Sequence, residues 1–180
     1  FYSQRLSDMI IKPPSPQQLS EYYQGYLKYL PEEDMLLTLK TATDEMESML
    51  EQIPVNKETF SYAPGKWMLK EVIGHLCDTE RILTYRALCF ARNDKTELPG
   101  FDENEYVANG NFKTRAMHSI GIEYLIVREA SLALFNSLDA ADFDKTGTAN
   151  QTKYSVRHML YFCIVHQRHH FNIIRERYYQ

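Results

Sequence analysis

His166 and His170 stand four residues apart in the stretch HQRHHFNIIRERY near the end of the chain. On an α-helix four positions make close to one turn, so both imidazoles leave the same face, one above the other. The neighbouring inward positions are Met159, Cys163, Ile173 and Ile174, so the pair projects into apolar packing. Two neutral imidazoles aimed at one point form half of a transition-metal site. A third histidine, His75, lies on another amphipathic segment, KEVIGHLCDTERIL, beside the stripe Val72, Leu76, Thr79 and Leu83. At 100° per residue His166 and His170 fall about 40° apart, and all three rings face inward. His118, His158 and His169 do not share this placing. A structural reading competes, because an inward histidine is often a hydrogen-bonded core residue. The pattern is also less specific than a four-cysteine zinc site.

The elements that must position these residues follow from periodicity. After the irregular PPSP at residues 13–16, Gln17 to Tyr29 reads as a short tyrosine-rich helix. Pro31 then opens a second segment, with Glu32, Glu33 and Asp34 in the first turn, where the helix dipole favours negative charge. Leu36, Leu39, Thr43, Met46 and Leu50 form its stripe, and Pro54 closes it. A third segment runs from Trp67 to about Arg92. The polar stretch from Asn93 to Phe112 reads as a long connection, Thr114 to Leu138 as the next helix, and TGTANQTK as a loop. Ser155 caps a final helix reaching Tyr179. With no convincing strand pattern, the expectation is all-α: a four-helix bundle over 31–180 and a short N-terminal helical extension over 1–30. The two longer linkers leave the order of helices around the bundle open.

At 180 residues, 44% hydrophobic and 24% charged, the chain has the composition of an ordinary globular domain. A net charge of -4 argues against a nucleic-acid surface. No apolar run is long enough to span a bilayer, and the start of the chain shows no export pattern. Three cysteines, Cys77, Cys89 and Cys163, form no CxxC pair and read as reduced, buried thiols of a cytoplasmic protein.

The segments YAPGKWMLKEVIGHLCDTERIL, ELPGFDENEYV and VHQRHHFNIIRERY, in this order, resemble the DinB/YfiT-like superfamily of small bacterial proteins from about Tyr22 to Tyr178. The resemblance implies a four-helix bundle holding a divalent metal, nickel or zinc, on three histidines. One comes from the second bundle helix and two, four apart, from the last; by motif these are His75, His166 and His170. The family name reflects induction by DNA damage, and homodimers are common among its members. Its members include thiol S-transferases using bacillithiol, mycothiol or glutathione, a thiol-dependent isomerase, and a proposed metal-dependent hydrolase.

Three protein ligands leave a position for water or substrate. The leading expectation is therefore a metal-dependent enzyme activating a small thiol or water against an electrophile, of thiol S-transferase or hydrolase type. A low-molecular-weight thiol is then the expected cosubstrate, with neither nucleic acid nor membrane as partner. Asp78 is a candidate to orient His75, and Glu80 a candidate base; for both, a plain helix charge is the alternative. His169 is a candidate proton shuttle, Cys163 a candidate extra ligand, and Glu105 and Tyr106 are candidate substrate contacts. The tyrosines at 22, 23, 26 and 29 read as packing for one bundle face or as a homodimer surface. The contrasting functional class is a non-catalytic, stress-associated bundle that binds metal or ligand without turnover.

Overall fold

The computed structural model describes residues 9–30 and 33–179, so Pro31 and Glu32 lie outside the described residues. Four long helices dominate: α2 (Met35–Gln52), α3 (Leu69–Ala91), α5 (Met117–Asn136) and α6 (Val156–Arg177). Two short ones join them, α1 (Glu21–Gln24) and α4 (Glu103–Asn109). No helix among the described residues is long and apolar enough to cross a membrane.

Three of the four long helices start where the sequence supplies a partner for orphan N–H groups. Asp34 caps α2, accepting from Leu36 N at 3.1 Å, and Ser155 caps α6. At α3 the Glu71 carboxylate reaches back to Met68 N at 2.8 Å. Gly74 leaves α3 unbroken and serves packing instead: a Cβ there would lie 2.4 Å from the Phe112 ring.

Both α2 and α3 pack against α5 and α6, so the consecutive helices α2 and α3 sit diagonally, as do α5 and α6. This resolves the helix order that linker lengths left open. It also puts α3, which carries His75, beside α6, which carries the other two histidines. The core divides into two apolar clusters. One includes Leu83, Phe90, Phe135, Met159 and Val165; the other includes Leu76, Cys77, Phe171 and Ile174. On α3 and α6 the gap between them is occupied by Thr79, Glu80, His166, Gln167 and His170.

Part of this polar layer is a buried network touching all four long helices. Arg128, with no exposed side-chain surface, donates to Glu80 through Nε at 2.6 Å and Nη2 at 2.7 Å, and to Leu39 O at 3.3 Å. Tyr124 contacts Arg128, Glu80 and Gln167, and Gln167 Nε2 donates to Ala42 O at 2.7 Å. Burial alone would lower the Arg128 pKa, but Glu80 beside it reverses that and leaves it raised.

Two expectations need correction. Residues 17–29 do not form one helix: 3₁₀ turns at Pro16–Gln18 and Leu27–Tyr29 flank the single α-turn of α1, with Ser20 as a new cap. The TGTANQTK loop is a β-hairpin, β1 (Thr146–Ala149) pairing antiparallel with β2 (Thr152–Ser155). Its two-residue turn places Asn150 and Gln151 at φ 49° and 61°. Both are left-handed, as a type I′ turn needs, but Gln lacks the glycine signal that would have announced it. Gly147 lets β1 approach α3, since a Cβ there would meet Phe90 at 2.1 Å.

Removing one partner of a buried ion pair strands the other charge, which costs about 3–5 kcal/mol. Glu80→Ala should lower unfolding stability by that order, read from urea denaturation; a change below about 1 kcal/mol would mean the pair contributes no more than a surface one.

Candidate metal centre

His75 comes from the second turn of α3, and His166 and His170 from successive turns of α6. His166 Nε2 lies 3.0 Å from His75 Nε2 and 3.1 Å from His170 Nε2. One nitrogen from each ring falls within 4.8 Å of the other two, the single such group of potential ligands among the described residues. The rings meet edge to face, at interplanar angles of 70°, 69° and 79°. His75 is buried, while His166 and His170 keep partial exposure.

This arrangement suits a cation better than it suits hydrogen bonding. Nε2 of a neutral imidazole offers either one proton or one lone pair. His166 Nε2 therefore cannot satisfy both neighbours at hydrogen-bond distance, whereas an ion between the rings would take a lone pair from each. Thr79 Oγ1 lies 3.4 Å from His75 Nδ1, and a proton held on Nδ1 leaves the Nε2 lone pair facing the other rings. The Trp67 ring packs 4.8 Å from the His75 ring.

The triad opens onto a cavity of about 400 Å³. Its walls include Tyr22, Tyr23 and Tyr26 of the extension, Arg86 of α3, Phe101, and Asn150 and Tyr154 of the hairpin. The extension is held over α6 by hydrogen bonds: Tyr161 Oη donates to Tyr23 O at 2.9 Å, Arg168 to Tyr29 O at 2.8 Å, and His158 Nε2 meets Gln18 O at 3.0 Å.

A family model described as the DinB superfamily matches residues 38–174, more than half of the chain and all three histidines. The chain belongs to that superfamily. Its fold is similar to that of YfiT from Bacillus subtilis, described as a probable metal-dependent hydrolase with an unusual four-helix bundle topology. The TM-score is 0.71 at 16% sequence identity, covering 92% of this chain and 91% of YfiT. No curated protein sequence matches the chain.

The other candidate residues of this DinB-superfamily chain are dispersed. Asp78 faces Arg81 at 3.6 Å, and it is Thr79 that meets the His75 ring. Glu80 turns to the far side of α3 and is held by Arg128 and Tyr124, so its carboxylate serves the bundle core instead of acting as a free base. Cys163 is buried, and burial holds its thiol well above the ordinary range. Glu105 and Tyr106 are exposed, Tyr106 against Phe101; the connection instead offers Gly100, Phe101 and Glu103 to the cavity. His169 does reach the wall, its ring 4.9 Å from Tyr26 and 5.3 Å from His170. Sequence reasoning missed Arg86, although it continues the inward stripe of His75, Thr79 and Leu83. It also missed Tyr154 and Asn150, which nothing marked until the hairpin was seen.

Burial lowers the His75 pKa to about 4 and that of His170 to about 3. His166 is held well below its ordinary value, by burial first and then by the neighbouring imidazoles. The unfolded chain takes up protons as pH falls below about 6.5, while the folded rings stay neutral until much lower pH. Stability of metal-free protein should therefore be full above that value and decline steadily as pH falls toward 4. Melting temperatures across this range test it, and the slope should lessen in His166→Asn. An equal slope in both proteins would show that these rings are not the source.

Proposed function

We propose that His75, His166 and His170 hold one divalent ion, nickel or zinc, and that the protein is a metal-dependent enzyme acting on a small molecule. The chemistry is activation of a small thiol or of water toward an electrophilic centre, as in thiol S-transferases or hydrolases. The observation that carries this reading is the convergence of three imidazole nitrogens where the bundle opens onto a cavity. A closed structural site normally fills all its positions with protein ligands, whereas this triad offers three and faces open space. When bound, a divalent ion would supply Lewis acidity, making water or thiol acidic enough to react near neutral pH.

The protein's own groups do the rest. Thr79 and Trp67 fix the His75 ring, and the one-turn spacing on α6 fixes the other two. Aromatic walls exclude bulk water, which strengthens electrostatic interactions within the cavity. His169 is the nearby imidazole outside the triad placed to accept a proton from the nucleophile. Its pKa is lowered by burial and then by Lys28, so its ring nitrogen is free to accept at neutral pH. Asp78 and Glu80 are outside this scheme, because each is engaged with an arginine.

Elemental analysis of untagged protein should find about one nickel or zinc per chain. Each of His75→Ala, His166→Ala and His170→Ala should reduce that content severalfold while the chain stays folded. The same preparations, assayed with several thiols and a generic electrophile, should show turnover only in the wild type. Full metal content without turnover for any pairing would favour a non-catalytic metal-binding bundle, and unchanged metal content in all three variants would sink the site itself.

A further inference from the structure

Arg86 lies eleven positions beyond His75 on the same inward stripe of α3, about 16 Å along the axis at helical rise. Its side chain is 9% exposed and lines the cavity that holds the histidines. One of its N–H groups donates to Pro99 O at 2.8 Å, and no carboxylate pairs with it among the described residues. Glu103, the acid in the cavity wall, is exposed and makes no ion pair with it. The neighbours that face Arg86 with titratable groups are the phenols of Tyr23 and Tyr154. A guanidinium that has lost most of its water and found no counter-ion is costly. The other buried arginine, Arg128, is neutralised by Glu80. Arg86 therefore has donors beyond the one given to Pro99 O, in the wall of a cavity that a ligand can occupy.

We infer that the cavity takes an elongated monoanionic substrate whose carboxylate is bound by Arg86 while its other end reaches the three histidines. One guanidinium surrounded by uncharged aromatic groups balances one negative charge, which favours a carboxylate over a phosphate dianion. Long helical side chains lean toward the helix N-terminus, so the Arg86 head lies nearer the triad than its Cα does. The remaining gap is on the order of 10 Å, walled by Tyr23, Tyr26, Leu83 and Phe162. An apolar or aromatic chain between the two ends fits that lining. The inference rests on the cavity being the substrate site proposed above.

Trp67, the sole tryptophan, lines the same cavity and supplies an optical readout. The probes are 4-phenylbutanoate and its uncharged amide, titrated near neutral pH into chelator-treated, metal-free protein, with Trp67 fluorescence and binding heat recorded. The carboxylate should bind at least about tenfold more tightly than the amide. Arg86→Gln should abolish that preference with the amide affinity little changed, and Arg86→Lys should keep part of it. A merely structural role for Arg86 would alter melting temperature but not the ratio of the two affinities. Equal binding of both probes to the wild type, no binding of either, or a preference surviving in Arg86→Gln would overturn the inference. His166→Ala should keep the preference, so a failed metal site and a failed anion site give separate results.

Discussion

A guanidinium sealed inside a helical bundle has to be matched in charge and geometry, and Arg128 is matched by groups from every long helix. Glu80 from α3 supplies the charge, α2 supplies the Leu39 carbonyl, and Tyr124 links the pair to Gln167 on α6. Apolar side chains can slide past one another at modest cost, whereas a bidentate ion pair with its hydrogen-bonded neighbours tolerates little displacement. The network thus fixes how α3 and α6 are registered. Glu80 stands five residues after His75, and Gln167 directly follows His166. Fixing Glu80 and Gln167 across the bundle fixes the histidines on the adjoining face. Polar groups cross the core as one layer, its inner part holding the helices in register and its outer part facing the cavity.

The diagonal placing of consecutive helices has a direct consequence for the site. α3 and α6 are distant in sequence, yet they are neighbours that share a long contact. In a simple up-down-up-down ring α3 would have α2 and α5 as its neighbours, leaving His75 across the bundle from His166. The connections that span the diagonals, residues 53–68 between α2 and α3 and 137–155 between α5 and α6, make the actual order possible. They do not lie idle: one carries Trp67 and the other folds into the hairpin with Asn150 and Tyr154, all in the cavity wall.

How much of this was legible in the sequence depended on the range of the interactions involved. Helical periodicity reports which side of a helix is buried, so the long helices and the inward histidines could be read directly. The pairing of those faces could not, because it depends on which helices adjoin. Glu80 shows the difference well. Its position on α3 left it open as a base for the site, but its partner Arg128 is distant in the chain and no local pattern links them. Asp78 was offered to His75 on spacing alone; Arg81, three residues on, attracts it more strongly than a neutral imidazole can. The hairpin escaped because its left-handed turn is made by Asn150 and Gln151 without glycine. The tyrosine-rich opening read as helix because aromatic spacing is satisfied equally by a broken chain lying on α6.

That opening segment lies outside the part of the chain that carries the three histidines. The match to the DinB superfamily begins at residue 38, after Tyr22, Tyr23 and Tyr26. These rings form part of the cavity wall, and Tyr23 also packs on Phe162 of α6, with 4.4 Å between ring centroids. The extension is tied down by carbonyls accepting from Tyr161, Arg168 and the His158 ring, and by Leu19 and Leu30, whose side chains are buried in the core. Tyr22, which is exposed, is the member of this wall whose replacement removes no buried contact. The aromatic wall and the histidine cluster thus rest on different parts of the chain, and Arg86 and His169 face both, Arg86 from the α3 that carries His75 and His169 from α6 beside Tyr26.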